Sequence, residues 1–416
     1  MKILHFSDAH IDIISQGKLD PSTGLPVRVL DFLKALDKIV DTAIEERVDL
    51  VLFTGDAYKD RTPVPTYQRE WGKRIKRLSE AGILTVMITG NHDVSPALSR
   101  AHALQEYETL SIPHVRVCSR PQFLTPQDLE GLPLQIAALP WVPRSGFMIA
   151  QDNGLPEIDI LNQKLEDAIT QLITYWLENR IDSNLPVVFA AHASVEGAQY
   201  SSERSIMLGN EVSLSRGLVC DRRWTYVALG HIHKAQNLNE GNHPPVIYPG
   251  SIERVNIGEA REEKFFVLVH LDGKQVSHIE WKKLEGRRFI DRSVRVERQE
   301  NFMETILREF PPQKDLEGAV FRLVVDYPAA WEKLLDEAAL RRHAEGALEF
   351  MLVRRPQREL RVRLPEGVLA SDMSPLQLLE MYLASIKVFP EEIQAIKSLA
   401  QEILWGGELE ETKEVL

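Results

Sequence analysis

Short apolar runs alternate along the first two thirds of the chain with longer stretches whose apolar residues recur at helical spacing. Lys2 to Phe6, Leu50 to Thr54, Leu84 to Ile88, Leu134 to Leu139, Pro186 to Ala191 and Tyr226 to Leu229 read as buried strands. Val246 to Ser251 and Phe265 to His270 read as closing strands. Pro26 occupies an expected first helical position, followed by Val29, Leu33, Leu36, Val40 and Ala43 on one face. Further helices are predicted over about 66–81, stopped by Gly82, over about 96–110, and over 158–179. Strand, loop and helix repeat three times from the start, which predicts an α/β fold with a mostly parallel sheet and right-handed crossovers.

After Lys283 the pattern changes. Short alternating segments, the Pro311-Pro312 break and a basic stretch through Arg363 predict a smaller α+β domain. A helical hairpin follows. Ser374, Pro375 and Gln377 make a capping-box start, with Leu376, Leu379, Leu383 and Ile386 as a stripe. Pro390 opens the second helix, which carries Ile393, Ile396, Leu399 and Ile403. A pair this apolar must cover something. The resulting division is 1–283, 284–365 and 366–416, and 416 residues suit two or three domains.

Composition narrows the class without naming the chemistry. Hydrophobic residues at 44% and charged residues at 26% describe an ordinary globular chain, and no apolar run reaches membrane-spanning length. Met1-Lys2 leads straight into a strand, so neither a secretory signal nor a membrane partner is expected. Cys118 and Cys220 are the only cysteines, which excludes a disulfide framework and makes a cytoplasmic location the expectation. A net charge of −12 argues against a surface coated in positive potential but leaves room for one basic groove.

The chemistry sits where strands end. Ser7-Asp8-Ala9-His10, Gly55-Asp56, Gly90-Asn91-His92-Asp93, His192 and Gly230-His231-Ile232-His233 each follow a predicted strand. In open α/β sheets sites form outside the carboxyl ends of strands. Any one such motif is cheap, since Asn and Asp beside Gly are ordinary turn residues. Five in the same topological position point to one pocket. Mixed oxygen and imidazole donors suit Mn, Fe or Zn better than Mg alone.

At these residues the chain resembles the calcineurin-like metallophosphoesterases, over about residues 1–270. The resemblance implies a four-layer α/β/β/α sandwich and two divalent cations, Mn(II) being expected. It implies that Asp8, His10, Asp56 and His233 hold one cation, that Asp56, Asn91, His192 and His231 hold the other, and that His92 faces the scissile phosphate. Two cations about 3.5–4 Å apart clamp the attacking and leaving oxygens of an in-line displacement and lower the pKa of a bound water to around 7. His92 is then placed to assist the leaving group. Asp93 is a candidate for orienting His92, with a turn or cap role as its alternative.

Tyr248-Pro249-Gly250-Ser251, Glu262-Glu263-Lys264-Phe265 and Ala190 to Gly197 further resemble the SbcD nucleases, subunits of bacterial SbcCD DNA-repair complexes. That resemblance implies 3′–5′ exonuclease and endonuclease action on double-stranded DNA ends and hairpins. It implies a capping domain over 284–365, and a hairpin that binds an SbcC-like SMC-type ATPase. A homodimer within a heterotetramer is also implied, built on helices 66–81 and 96–110. The chain departs from the pattern at Ala9, at Ile11-Asp12 and at Lys59-Asp60, so the last pair stays unassigned. Candidate DNA contacts are Arg354, Arg355, Arg358, Arg361 and Arg363, and a second basic face runs through Arg69, Lys73, Arg74, Lys76 and Arg77. A solvated charged face is the alternative for each cluster. Trp71 and Trp141 read as core or interface anchors. Two rival functions stand: hydrolysis of small phosphoesters or cyclic nucleotides, and a non-catalytic docking scaffold.

Overall fold

A computed structural model describes residues 1–13, 18–94, 101–143, 158–201, 212–357, 373–385 and 388–405. Ten of its strands alternate with helices or turns up to Tyr248: β1 (Lys2–Phe6), β2 (Leu50–Phe53), β3 (Leu84–Ile88), β4 (Val115–Cys118), β5 (Gln122–Leu124), β6 (Gln135–Leu139), β7 (Val187–His192), then, past a short ribbon of β8 (Ser194–Val195) and β9 (Ser213–Leu214), β10 (Tyr226–Gly230), β11 (Gln236–Asn237) and β12 (Val246–Tyr248). A long hairpin, β13 (Lys264–Asp272) and β14 (Gln275–Leu284), follows, and then β15 (Phe289–Arg295), β16 (Val320–Pro328) and β17 (Glu349–Gln357). Two six-stranded sheets result, ordered β14-β13-β1-β2-β3-β4 and β11-β12-β10-β7-β6-β5. Strands β1 to β4 are mutually parallel, as are β6, β7, β10 and β12, while β13 closes the first sheet antiparallel.

Strands buried on both faces read as continuous apolar runs, and each sheet here has two apolar faces. Ile3, Leu52, Val86 and Ile88 of the first sheet meet Ile136, Val188, Ala190 and Ala228 of the second in a shared interior. On the first sheet's other face, Leu4, Phe6, Val51 and Phe53 pack under helices α1 (Val27–Glu45) and α2 (Pro65–Glu80). On the second sheet's other face, Ala137, Phe189 and Val227 pack under the helix Ile158–Asn179 through Leu165, Ile169, Ile173 and Trp176. This is the α/β/β/α sandwich.

Three local details differ from the pattern. Helix α1 starts at Val27 with Pro26 as its N-cap, whereas Pro65 takes the first position of α2. Of the helix expected over 96–110, residues 95–100 lie outside the described residues, and the helical part runs only from Gln105 to Leu110. The stretch before it is held differently: Ala103 N–H donates to the Asp93 carbonyl at 3.1 Å and Leu104 is fully buried.

The chain forms two compact units. The first comprises Met1–Val294, Glu304–Val325 and Asp336–Val353. Beyond the sandwich it contains an aromatic cluster of Phe310, Phe321 and Phe350. The second comprises Arg295–Met303, Asp326–Leu335 and Arg354–Leu416. In it Tyr327 and Trp331 pack edge-on against Phe302, and Arg354 pairs with Glu332 at 3.4 Å. Its hairpin joins Pro375–Ser385 to Pro390–Trp405, and the capping box is present: Ser374 N–H reaches Gln377 Oε1 at 2.8 Å. Leu383 and Ile393 are buried, while Phe389, Ile396 and Leu399 are exposed. Among the described residues, no helix is long and apolar enough to cross a membrane.

Candidate metal centre

Parallel strands end together, so the loops leaving β1, β2, β3, β7 and β10 emerge at one edge of the sandwich. The backbone there is bent hard. Asp8, His10, Asp56 and His231 all hold left-handed φ angles, of 50°, 40°, 63° and 97°. Such conformations cost about 1–3 kcal/mol per non-glycine residue and persist where the surrounding frame imposes them. The glycines beside them are needed for a different reason. A Cβ on Gly90 would lie 2.1 Å from Asp56 Oδ1, and one on Gly230 would lie 2.0 Å from the Thr54 carbonyl. The two sheets therefore approach closely at this edge.

Hydrogen bonds on the outer ring nitrogens fix the tautomers of three histidines. His10 Nδ1 lies 3.2 Å from the Tyr58 carbonyl, His192 Nδ1 2.7 Å from the Thr54 carbonyl, and His233 Nδ1 3.0 Å from Glu259 Oε1. Carbonyls and carboxylates only accept, so each Nδ1 carries the proton and each Nε2 presents a lone pair inward. Those lone pairs face other acceptors. His10 Nε2 stands 3.2 Å from His233 Nε2, and His192 Nε2 stands 3.0 Å from Asn91 Oδ1 and 3.5 Å from Asp56 Oδ2. His231 Nδ1 is also 3.0 Å from Asn91 Oδ1. Asp8 and Asp56 complete the ring, both buried. Two groups, Asp8 with His10 and His233 and Asp8 with Asp56 and His192, each bring their donor atoms within 4.8 Å of one another. A buried cage of facing acceptors is unstable unless a proton or a cation lies between them. Divalent cations fit this donor set.

With no cation between the acceptors, a proton takes that place at His192, whose Nε2 would lose it to bind a metal. Burial pushes His192 down, but Asp56 and then Asp8 outweigh it and lift it to about 9. Burial likewise opposes the charge on Asp56, yet His192, His92 and His10 hold its carboxyl well below the usual range. His10 is held well below its usual value, chiefly by desolvation.

The supports behind the ring were not all legible in advance. Glu259, fully buried in a short turn, accepts from His233 and pairs with buried Lys264 at 2.6 Å. Burial raises the Glu259 carboxyl, and Lys264 with His233 reverses that to well below its ordinary value. Lys264 also donates to Ser251 Oγ at 2.8 Å and to the His233 carbonyl at 3.2 Å. Asp93 does not touch the His92 ring. Its carboxylate accepts from the backbone N–H groups of Asp56, Ala57 and Gly90 at 2.8, 3.0 and 2.9 Å, so it ties the second and third motifs together. Burial and the nearby Asp56 raise it. His92 is aimed instead by Lys59: its Nδ1 donates to the Lys59 carbonyl at 2.8 Å, and Lys59 Nζ is 3.4 Å from its Nε2. Burial holds the His92 imidazole below its ordinary value, against the pull of Asp56.

The remaining sequence candidates divide. Asp8, His10, Asp56, Asn91, His192, His231 and His233 come together as described. Trp71 is wholly buried in the core. Trp141 lies at the site, its ring 5.1 Å from that of His231 and 6.2 Å from that of His192. The basic face of α2 is neutralised internally: Arg69, Lys73 and Arg74 pair with Glu70, Lys76 with Glu80, and Arg77 with Asp37 and Asp41. Arg354 and Arg355 are exposed in the second unit, and Arg358, Arg361 and Arg363 lie outside the described residues.

Comparison with known proteins agrees with this geometry. Residues 1–235 match the calcineurin-like phosphoesterase family. The D component of nuclease SbcCD from Escherichia coli (strain K12) is 26% identical over 285 residues, 67% of each chain. "DNA double-strand break repair protein Mre11" of Archaeoglobus fulgidus is 22% identical over 427 aligned positions, 99% of this chain and 86% of that one. "Uncharacterized metallophosphoesterase YhaO" of Bacillus subtilis (strain 168) is 23% identical over 280 residues, 67% of this chain and 59% of that one.

Proposed function

The chain belongs to the calcineurin-like phosphoesterase family, and from that premise we propose that it is a two-metal DNA nuclease of the SbcD kind. It hydrolyses phosphodiesters at the ends and hairpins of double-stranded DNA, as a 3′–5′ exonuclease and an endonuclease, in the cytoplasm. The observation that carries the reading is the buried ring of facing acceptors contributed by five strand ends of two sheets.

In this reading Asp8, His10, Asp56 and His233 hold one cation and Asp56, Asn91, His192 and His231 the other. A pair of Mn(II) ions would supply charge neutralisation on the phosphoryl oxygens and a water acidified to a pKa of about 7. The side chains do the rest. Asp93 fixes the turns that carry Asp56 and Asn91. Glu259 and Thr54 fix the tautomers of His233 and His192. His92 lies at the edge of the ring, its backbone N–H bonded to Asp56 Oδ1 at 2.8 Å, with Nε2 free of the Lys59 carbonyl that holds Nδ1. From there, once Nε2 is also protonated, the imidazolium would give that proton to the leaving oxygen or steady charge on the phosphate.

Residues 284–365 would cap the site with Arg354, Arg355, Arg358, Arg361 and Arg363 on the DNA. Residues 366–416 would bind an SbcC-like ATPase through the hairpin, whose exposed Phe389, Ile396 and Leu399 suit such a contact. Two copies would form the core of a heterotetramer. The test is Mn-dependent digestion of linear duplex, with and without the ATPase. Asp56→Ala is expected to abolish metal binding and hydrolysis together, and His92→Ala to retain both ions yet lose most cleavage. Hydrolysis of nitrophenyl esters with none of DNA would refute the nuclease reading.

A further inference from the structure

We propose that Lys59 and Arg61 form a phosphate-binding edge beside His92, gripping the backbone of a polynucleotide next to the bond being cut. The proposal rests on the phosphodiesterase reading above and names the part of the substrate that these residues take.

Both cations stand on the loop that leaves β2, three and five residues beyond Asp56. Both are fastened to the turn after β3. Lys59 holds His92 through its carbonyl and brings its ammonium to 3.4 Å from His92 Nε2, and Arg61 Nε donates to the Asn91 carbonyl at 3.2 Å. Their side chains are exposed and line a cleft of about 740 Å³ with His92 and Asn256. The cleft also contains two acids, and both are committed elsewhere. Asp12, itself buried, accepts from the backbone N–H groups of Lys59 and Asp60 at 2.5 and 3.0 Å. Asp60 accepts from the N–H and hydroxyl of Thr62 at 2.9 and 3.1 Å.

Among the described residues no carboxylate pairs with Lys59 or Arg61. The contrast with α2 is direct, because there every basic side chain on the exposed face has an acid partner. On a chain of net charge −12, two cations left facing a cleft at the rim of an acidic site are a receptor for anions. A phosphodiester polymer fits because it carries a second negative charge beside the scissile one, which a small ester lacks. Lysine supplies a point charge and arginine a planar fork, both suited to phosphate oxygens.

The experiment is metal-free binding of a short labelled single-stranded oligonucleotide, followed by fluorescence anisotropy over a range of salt. Removing one phosphate contact lowers the slope of log K against log salt by about 0.7. Lys59→Gln with Arg61→Gln is expected to lower it by about 1.4 and to weaken binding at low salt at least tenfold. Arg61→Gln alone should give about half the change, and Lys59→Arg should keep wild-type binding. Lys76→Gln with Arg77→Gln, a pair already neutralised, is expected to leave the slope as in wild type. Wild-type slope and affinity in the double variant would overturn the proposal alone. A wild-type protein that binds no oligonucleotide would overturn both it and the nuclease reading.

Discussion

Gly90→Ala is the sharpest test of how this site is built. Nothing about the substitution alters charge or removes a ligand. The added methyl would meet Asp56 Oδ1 at 2.1 Å, Asp56 N at 2.6 Å and Asp56 Cγ at 2.7 Å. These separations are up to more than an ångström short of ordinary contact, and two of the three atoms belong to the side chain proposed to bridge the ions. Asp56 cannot swing aside cheaply, since its backbone N–H is tied to Asp93 and Oδ1 accepts from His92 N. The clash should therefore push Asp56 and the 90–92 turn apart by about 1 Å, a displacement that can cost on the order of 10²-fold in rate. Overpacking of a buried site adds about 1–3 kcal/mol of destabilisation. The assay is kcat/KM on a nitrophenyl phosphodiester together with metal content and melting temperature. Gly82→Ala is the control: nothing lies within 4 Å of its Cβ, and its own cost comes from a positive φ of 69° that Gly90 does not share. It should lose stability by about 1 kcal/mol and no activity. Wild-type kcat/KM and metal content in Gly90→Ala would refute the argument.

Other outcomes follow from the same geometry. Glu259→Gln keeps an acceptor for His233 but leaves Lys264 without its nearest charge, so Mn(II) affinity by titration calorimetry should fall about 10–100-fold; unchanged affinity would show that Glu259 serves packing only. Asp93→Ala removes the acceptor for three backbone N–H groups and should destabilise by about 1–3 kcal/mol, with metal occupancy falling in parallel when measured by elemental analysis. His5 is wholly buried between Tyr226 Oη and Thr54 Oγ1, and desolvation lowers it to about 3 from 6.5. The unfolded chain takes up that proton below pH 6.5 while the fold does not, so stability present above 6.5 is lost as pH falls towards 3. Between pH 7 and pH 5 the loss is about 2 kcal/mol. A His5→Gln variant with the same urea-midpoint shift as wild type over that interval would rule this out.

The clustering of the seven candidate donors was legible because each follows an apolar run. Ile88 to Asn91 or Ala191-His192 can be read as strand then turn without any structure, and strand ends in such sheets share an edge. The sandwich was legible for the same reason. The supports were not, because hydrogen bonds to the far side of a ring obey no spacing. Glu259 lies 26 residues beyond His233, in a three-residue turn that no periodicity announces. Lys264 stands out only as part of the Glu262 to Phe265 segment, and nothing there announces a lysine that is 1% exposed. Asp93 reads in sequence as orienting its neighbour His92 or as a turn or cap residue; its carboxylate takes the turn amide of Gly90 and, beyond any sequence signal, amides 36 and 37 residues earlier. Trp141 looked like a packing anchor because nothing in its surroundings marks it, whereas topology brings the end of β6 to the rim. The positive φ angles of Asp8, His10 and Asp56 are equally silent, since residue type alone does not mark where the fold imposes a strained backbone.

Asp8, His10, Asp56 and Asn91 ride on one sheet, and His192, His231 and His233 on the other. The bite of the centre is thus gauged by the thickness of the hydrocarbon filling laid between them, by side chains such as Val86, Ile136 and Val188. Trimming or swelling that filling, well away from any donor atom, retunes the jaws as a shim resets a vice. In the two-metal reading proposed above, selectivity among cations of different radius would then be set partly from the greasy interior, with every donor residue left in place.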